Sequence, residues 1–318
     1  MDEIDTFDED AKKCSAKRLP LVDHISDTGL KKINKLFEDA DAISRENYAQ
    51  TNWHRLFLVI CGVMITYFFL NYGEVPKNII ISASCAAIVA VLIIIKLIFD
   101  RKKSHKKHIQ YRVFAEALRA QFFVTYAGID KNISQMLPWA IRRDLPWISE
   151  RISKLPNAES TTPKAMHDFC LKQIEYHTDI ASSDSSFNRA YKILTNSALV
   201  ITVIAYFAAF GFDIYLAVAL PKGWDLNEIY FYFKMAIGVM SILTLLANNF
   251  FGKMSLNARE KEHERSKDLY AQESVKILSC ITDKEKSEEL FMNVIREFLI
   301  ENTTWYIYES QNKLSFTI

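Results

Sequence analysis

Four long apolar blocks, at residues 56–72, 79–99, 194–212 and 233–251, constrain this 318-residue chain more than any other feature. The charged residues sit between them. A helix rises about 1.5 Å per residue, so roughly 20 apolar residues cross the roughly 30 Å hydrocarbon layer of a bilayer. Leu56 to Tyr72 is uncharged but short. Ile79 to Phe99 holds one charge, Lys96, near its end, where a long side chain can snorkel. Ile193 to Phe212 and Met235 to Gly252 are uncharged. One such block could be the core helix of a large soluble protein. Four in a chain of this size predict membrane spans. Eight Gly and seven Pro exclude collagen-like and Pro/Gly-rich disordered classes. A net charge of +1 excludes a globally basic nucleic-acid binder, though not a local basic patch.

Orientation follows from the connections. Segment 100–193 carries sixteen Lys+Arg against ten Asp+Glu, and Arg101, Lys102, Lys103, Lys106, Lys107 and Arg112 crowd against the second block. Segment 213–228 is net negative, with Asp213, Asp225 and Glu228 against Lys222. The positive-inside rule then places both termini and segment 100–193 in the cytoplasm. Trp53, Tyr67, Tyr72 and Trp224 fall near the expected interfaces. The acidic N-terminus, MDEIDTFDED, lacks the basic start and apolar core of a cleaved signal peptide, so the first block is read as a retained anchor. The five cysteines, Cys14, Cys61, Cys85, Cys170 and Cys280, are odd in number and scattered, which fits a reducing compartment.

The order of polar helix, span, short outer loop, span and long polar helix runs from about residue 29 to 130, and again from about 165 to 280. The expected fold is therefore an all-α membrane protein with four transmembrane helices, arranged as two two-span repeats with cytoplasmic helical extensions. The segments are 1–54 (cytoplasmic), 55–99 (first pair), 100–193 (cytoplasmic), 194–251 (second pair) and 252–318 (cytoplasmic). Leu30, Ile33, Phe37, Ala40 and Ile43 form one apolar stripe, and Tyr111, Phe114, Ala115, Leu118 and Phe122 form another, with Arg112, Glu116 and Arg119 off it. No Gly or Pro separates the second stripe from the second span, which predicts one continuous helix. Segment 254–280 reads as a charged helix with few apolar positions, suited to a polar bundle or a water-lined stalk. Segment 284–301 has a well-defined apolar face. The closing WYIYESQNKLSFTI alternates in the manner of a short strand or hairpin. NAESTTP, 157–163, reads as a flexible joint.

No phosphate-binding loop, dinucleotide fingerprint, nucleophile elbow, HExxH or CxxC pair occurs, and no catalytic constellation suggests an enzyme. His167, Cys170 and His177 lie at roughly helical spacing without acidic partners. We read them as packing and surface, with no metal and no cofactor expected. The basic run 101–112 has two readings. One is a topology signal that binds lipid headgroups, at about 1 kcal/mol per cation. The other is a phosphate-gripping mouth for a nucleotide or oligonucleotide, extended by Arg119, Arg142, Arg143 and Arg151, with Trp139 and Trp147 near for stacking or packing. In the fourth block Ser241, Thr244 and Asn248 share a face, which either lines an aqueous path or hydrogen-bonds between helices. Small residues in the second block, Ala83, Ala86, Ala87 and Ala90, permit close helix contact.

The combination resembles the SLATT-type membrane proteins of bacterial defence and conflict systems, in doubled four-span form. The residues carrying it are FEDADAISRENYAQTNWHRLFLV before the first span and YRVFAEALRAQFFVTYAGI after the second. QIEYHTDIASSDSSFNRAYKI before the third span and FLIENTTW near the C-terminus add to it. The resemblance implies an inner-membrane effector, a homo-oligomer with four copies the favourite, that permeabilises the membrane when an associated sensor changes state. Such proteins are paired with nucleotidyltransferases or SLOG-type sensors, and a Hailong-type system, where a nucleotidyltransferase product controls the effector, is one candidate. The partners implied are the bilayer, further copies of the chain, and a nucleotidyltransferase or its product. The competing expectation is a membrane-anchored scaffold or regulatory subunit with no pore.

Overall fold

The computed structural model describes residues 3–72, 79–157, 162–219, 231–232, 235, 238–239 and 256–311. Every element among them is helical: α1 Glu3–Lys13, α2 Thr28–Tyr72, α3 Ile79–Lys102, α4 Ser104–Tyr126, a 3-10 turn at Ile133–Gln135, α5 Trp139–Asp144, α6 Pro146–Ser153, α7 Lys164–Ala219, α8 Leu256–Ser279 and α9 Lys284–Gln311. The all-α expectation holds over these residues. Most of the fourth apolar block lies outside them, with Ser241, Thr244 and Asn248, and so does most of the expected joint at 157–163.

The chain divides into two units. One comprises Met1–Asn52, Lys103–Asp179 and Glu262–Ile318; the other comprises Trp53–Lys102 and Ile180–Lys261. The stretches 180–193 and 252–261, expected with the polar segments, group with the apolar unit. Phe187 and Ile193 are exposed there, so the first unit's core does not claim them.

The first unit has a close-packed core. Leu30, Ile33, Phe37, Ala40 and Ile43 of α2 are buried, as are Tyr111, Phe114, Ala115, Leu118 and Phe122 of α4. The helical period of both stripes is what buries them together. α4 packs against α9, α6 and the 3-10 turn. Phe169 of α7 is a hub: Phe123, Phe298, Phe291 and Tyr270 meet it edge-on, with ring centroids 5.3, 5.3, 5.7 and 6.4 Å away. Such pairs add about 0.5–1.5 kcal/mol each beyond their buried area.

The helix ends are set by local chemistry. Asp27 Oδ1 accepts from the Leu30 amide at 2.8 Å and starts α2. Pro146 stands at the start of α6, where its missing N–H costs nothing. Beyond the last residue of α4, Tyr126, the chain turns at Gly128, whose φ of 80° suits glycine. There the Gly128 amide donates to Thr125 O at 3.1 Å and the Ile129 amide donates to Val124 O at 3.1 Å, a paired termination that satisfies two end carbonyls.

Two expectations are corrected, and one element is added. The helix after the second apolar block does not run on unbroken: Lys103, with φ 52° and ψ 30°, is left-handed and separates α3 from α4. Residues 305–311 are helical rather than strand-like, since Leu299, Thr303 and Tyr306 continue the buried 3.6-residue period of α9; residues 312–318 lie outside the described set. The acidic N-terminus forms α1, in which buried Phe7 meets the rings of Phe114 and Tyr111 at 5.3 and 5.7 Å.

The second unit has the opposite surface. On α7, Ile193, Leu194, Leu199, Val200, Ile204, Phe207, Phe210 and Val218 are exposed, Phe207 at 72% and Val218 at 83%. One stretch within Lys164–Ala208 is long and apolar enough to cross a membrane, and 6% of its apolar part is buried. Ala86–Ile95 of α3 is a shorter apolar stretch, with Val91, Ile93, Ile94, Leu97 and Ile98 exposed along α3. In water so much contiguous apolar surface is a liability; in hydrocarbon it meets its own kind.

Candidate functional site

The first unit holds a layered polar cluster inside its helices. Glu116 of α4 is one helical turn from both Arg112 and Arg119, so a single carboxylate can face two guanidinium groups. Arg112 Nη2 lies 2.7 Å from Glu116 Oε1 and Arg119 Nη1 lies 3.1 Å from Glu116 Oε2. These are ion pairs by distance, without hydrogen-bond geometry at the carboxylate. The Glu116 side chain is 2% exposed. Arg112 also lies 3.9 Å from Asp41 of α2 and donates to the Tyr176 hydroxyl at 2.9 Å. Burial acts to lower the Arg112 pKa, but Glu116, Tyr176 and Asp41 outweigh it and hold the group above its ordinary value. Arg119 sits over the Phe37 ring, 5.2 Å from its centroid.

The next layer joins three helices. His177 of α7 is fully buried, and its Nδ1 lies 2.9 Å from Nδ1 of His263 on α8. Its Nε2 lies 3.5 Å from Glu301 Oε1 on α9. Tyr270 stacks on the His177 ring with centroids 5.5 Å apart, and its hydroxyl donates to Glu301 Oε2 at 3.2 Å. Burial, the neighbouring His263 and Arg119 push the His177 pKa down to about 4, so the ring is neutral near pH 7. Burial pushes the Glu301 carboxyl up to about 7, against the opposing hydrogen bond from Tyr270.

The sequence-expected ligand residues separate into two groups. Arg101 and Lys102 at the end of α3, Lys103, Lys106 and Arg142 are exposed. Lys107, Arg112, Arg119, Arg143 and Arg151 have acidic partners within the chain. Lys107 Nζ lies 2.7 Å from Asp10 of α1, whose other oxygen accepts from the Tyr111 hydroxyl at 2.7 Å. Arg112 and Arg119 hold Glu116. Arg143 pairs with Asp144 at 2.5 Å and lies over the Trp139 ring at 4.2 Å. Arg151 pairs with Asp8 of α1 at 2.7 Å and sits over Phe7. The acidic N-terminal helix thus neutralises part of the basic run. Trp147 is buried against Phe114, with centroids 5.0 Å apart, and serves packing; Trp139 is 65% exposed.

Sequence spacing pointed to His167 and Cys170 beside His177, whereas the fold brings His263 and Glu301 to it. One signal was present: Glu301 continues the helical spacing of Phe291, Val294 and Phe298 on an apolar face, where a carboxylate needs a partner. Comparison with protein-family models, with curated proteins and with solved structures returns no match, so a functional reading rests on the residues described above.

Proposed function

We propose that the chain is a gated, ion-conducting membrane effector, controlled through its polar helical unit by a phosphate-bearing signal such as the nucleotide or oligonucleotide product of a partner nucleotidyltransferase. In this reading it spans the bacterial inner membrane four times with both termini inside, works as a homo-oligomer of about four copies, and belongs to an antiviral defence system of the SLATT type. One observation carries it. α7 is a single helix of 56 residues whose first part packs in a buried polar and aromatic core and whose second part exposes apolar side chains fit only for lipid or other spans. A change in the packing around Phe169 and His177 therefore acts directly on a membrane segment.

The ligand surface in this reading centres on exposed Arg101, Lys102, Lys103 and Lys106, with Arg142 as an outlying contact. Lys107, Arg112, Arg119 and Arg143 act on it indirectly, through the acidic groups they hold. Ser241, Thr244 and Asn248 supply the polar face of the conducting path. The test is ion flux from vesicles containing the purified chain, with and without the partner's product. Product-dependent flux supports the reading. A chain that inserts and binds its partner but never conducts is a scaffold instead.

A further inference from the structure

The cluster His177, His263 and Glu301 has the composition and spacing of a metal centre. Each residue offers one donor atom, and the three donor atoms all lie within 4.8 Å of one another. They come from α7, α8 and α9, so the fold has gathered them. Tetrahedral Zn²⁺ holds nitrogen and oxygen ligands at about 2.0–2.1 Å, which sets neighbouring ligand atoms about 3.3–3.5 Å apart. His177 can offer an ion one nitrogen: Nδ1, 2.9 Å from Nδ1 of His263, or Nε2, 3.5 Å from Glu301 Oε1. Ligation through Nδ1 spreads the His177–His263 edge by a few tenths of an ångström. The proton the two Nδ1 atoms share then moves to the distal nitrogen of the ring that carries it, so each imidazole stays neutral.

The surroundings fit as well. The stacked Tyr270 ring fixes the plane of His177, and its hydroxyl holds Glu301 by the second oxygen, leaving Oε1 for the ion. Oriented outer partners of this kind accompany metal-ligating His and Glu side chains. His177 is buried, while His263 and Glu301 are partly exposed, which gives an ion an entry side. We infer that His177, His263 and Glu301 bind a divalent transition-metal ion of the Zn²⁺ class, with water completing the coordination, and that the ion fastens α7 to α8 and α9. Two imidazoles and one carboxylate suit Zn²⁺ or Co²⁺ over the harder Mg²⁺ and Ca²⁺.

The test uses the full chain in detergent, with any purification tag removed, and Co²⁺ alone as the probe. The expected result is one Co²⁺ per chain with visible d–d absorption, displaced by Zn²⁺. His263→Ala and Glu301→Gln should each weaken binding by about 100-fold, at or beyond the 10–100-fold typical for loss of an outer-shell partner. His167→Ala should leave it unchanged. Since Glu301→Gln keeps side-chain shape, and circular dichroism checks the fold of each variant, a loss of binding is not confused with unfolding. Zn²⁺ should also raise the melting temperature of the parent but not of His263→Ala. Absence of Co²⁺ absorption in the parent, or equal binding in folded His263→Ala and Glu301→Gln, overturns the assignment and leaves a hydrogen-bonded core trio. None of these readouts depends on ion flux or on a nucleotide.

Discussion

Arg112 Nη2 lies 2.7 Å from a Glu116 carboxylate whose side chain is 2% exposed. A buried carboxylate between two guanidinium groups is a structural element whose removal leaves uncompensated charge. Glu116→Gln should therefore destabilise the folded chain by about 3–5 kcal/mol. Arg112→Gln should also destabilise, but less, because Arg119 still faces Glu116 at 3.1 Å. A thermal melt in detergent checks both. A melting temperature unchanged in either variant would show that the pair is not coupled to folding.

The exposed lysines should behave differently. Lys102→Gln, Lys103→Gln and Lys106→Gln should leave the melting temperature nearly constant. Each should flatten the salt dependence of partner-product binding by about one unit of slope if it contacts a phosphate. Lys107→Gln should instead loosen α1, because it removes the cation facing Asp10. A triple variant that binds and responds to salt like the parent reduces the run to a topology signal.

Gly29 makes a steric prediction. A Cβ built there runs into the Asn157 carbonyl oxygen, with Asp27 Oδ1 at 3.2 Å on another side. One neighbour is backbone and the other is the cap of α2. Gly29→Ala should cost about 1–3 kcal/mol, as overpacking does, read as a lower denaturation midpoint. A neutral result would mean that the 157 backbone moves aside freely.

Cysteine chemistry gives a fourth. Burial pushes the Cys170 thiol up to about 12, with Glu273 adding. It should resist alkylation at pH 8 in the folded chain and react on unfolding. Its raised pKa favours folding only while the thiol stays protonated, so this contribution fades as pH rises from the ordinary 9.0 toward 12. Burial and Glu46 also raise Cys14, to about 11. Silence at Cys14 in a topology experiment is thus a poor marker of an inside location. Exposed Lys154→Cys is the better inside probe, and 73–76 or 222–227 the outside ones. External labelling of Lys154→Cys in sealed cells would invert the proposed orientation.

The sequence displayed what repeats with the helical period. Leu30, Ile33 and Phe37, and Phe114, Leu118 and Phe122, were legible as core because each stripe declares its own face. The burial of Phe7 in α1 was not, since it stands amid acids and meets Phe114 and Arg151 far along the chain. The left-handed Lys103 has no local signature, because lysine carries no preference for that conformation. The aromatic run near Tyr306 looked strand-like by alternation, while the register inherited from Leu299 and Thr303 decided for helix. The trio around His177 was invisible to spacing because its members come from three helices. Of the expected ligand residues, Arg112, Arg119 and Arg143 have their acidic partners within one helical turn, whereas the claim of α1 on Lys107 and Arg151 spans most of a hundred residues or more and had no local sign.

A right-handed winding carries torque only while it is unbroken. α7 keeps its winding from Lys164 to Ala219, whereas α3 and α4 reverse theirs for one residue at Lys103. The coil is thus unbroken over the 56 residues of α7, from the neighbourhood of Phe169 and His177 to Phe207 and Phe210, and interrupted between α3 and α4.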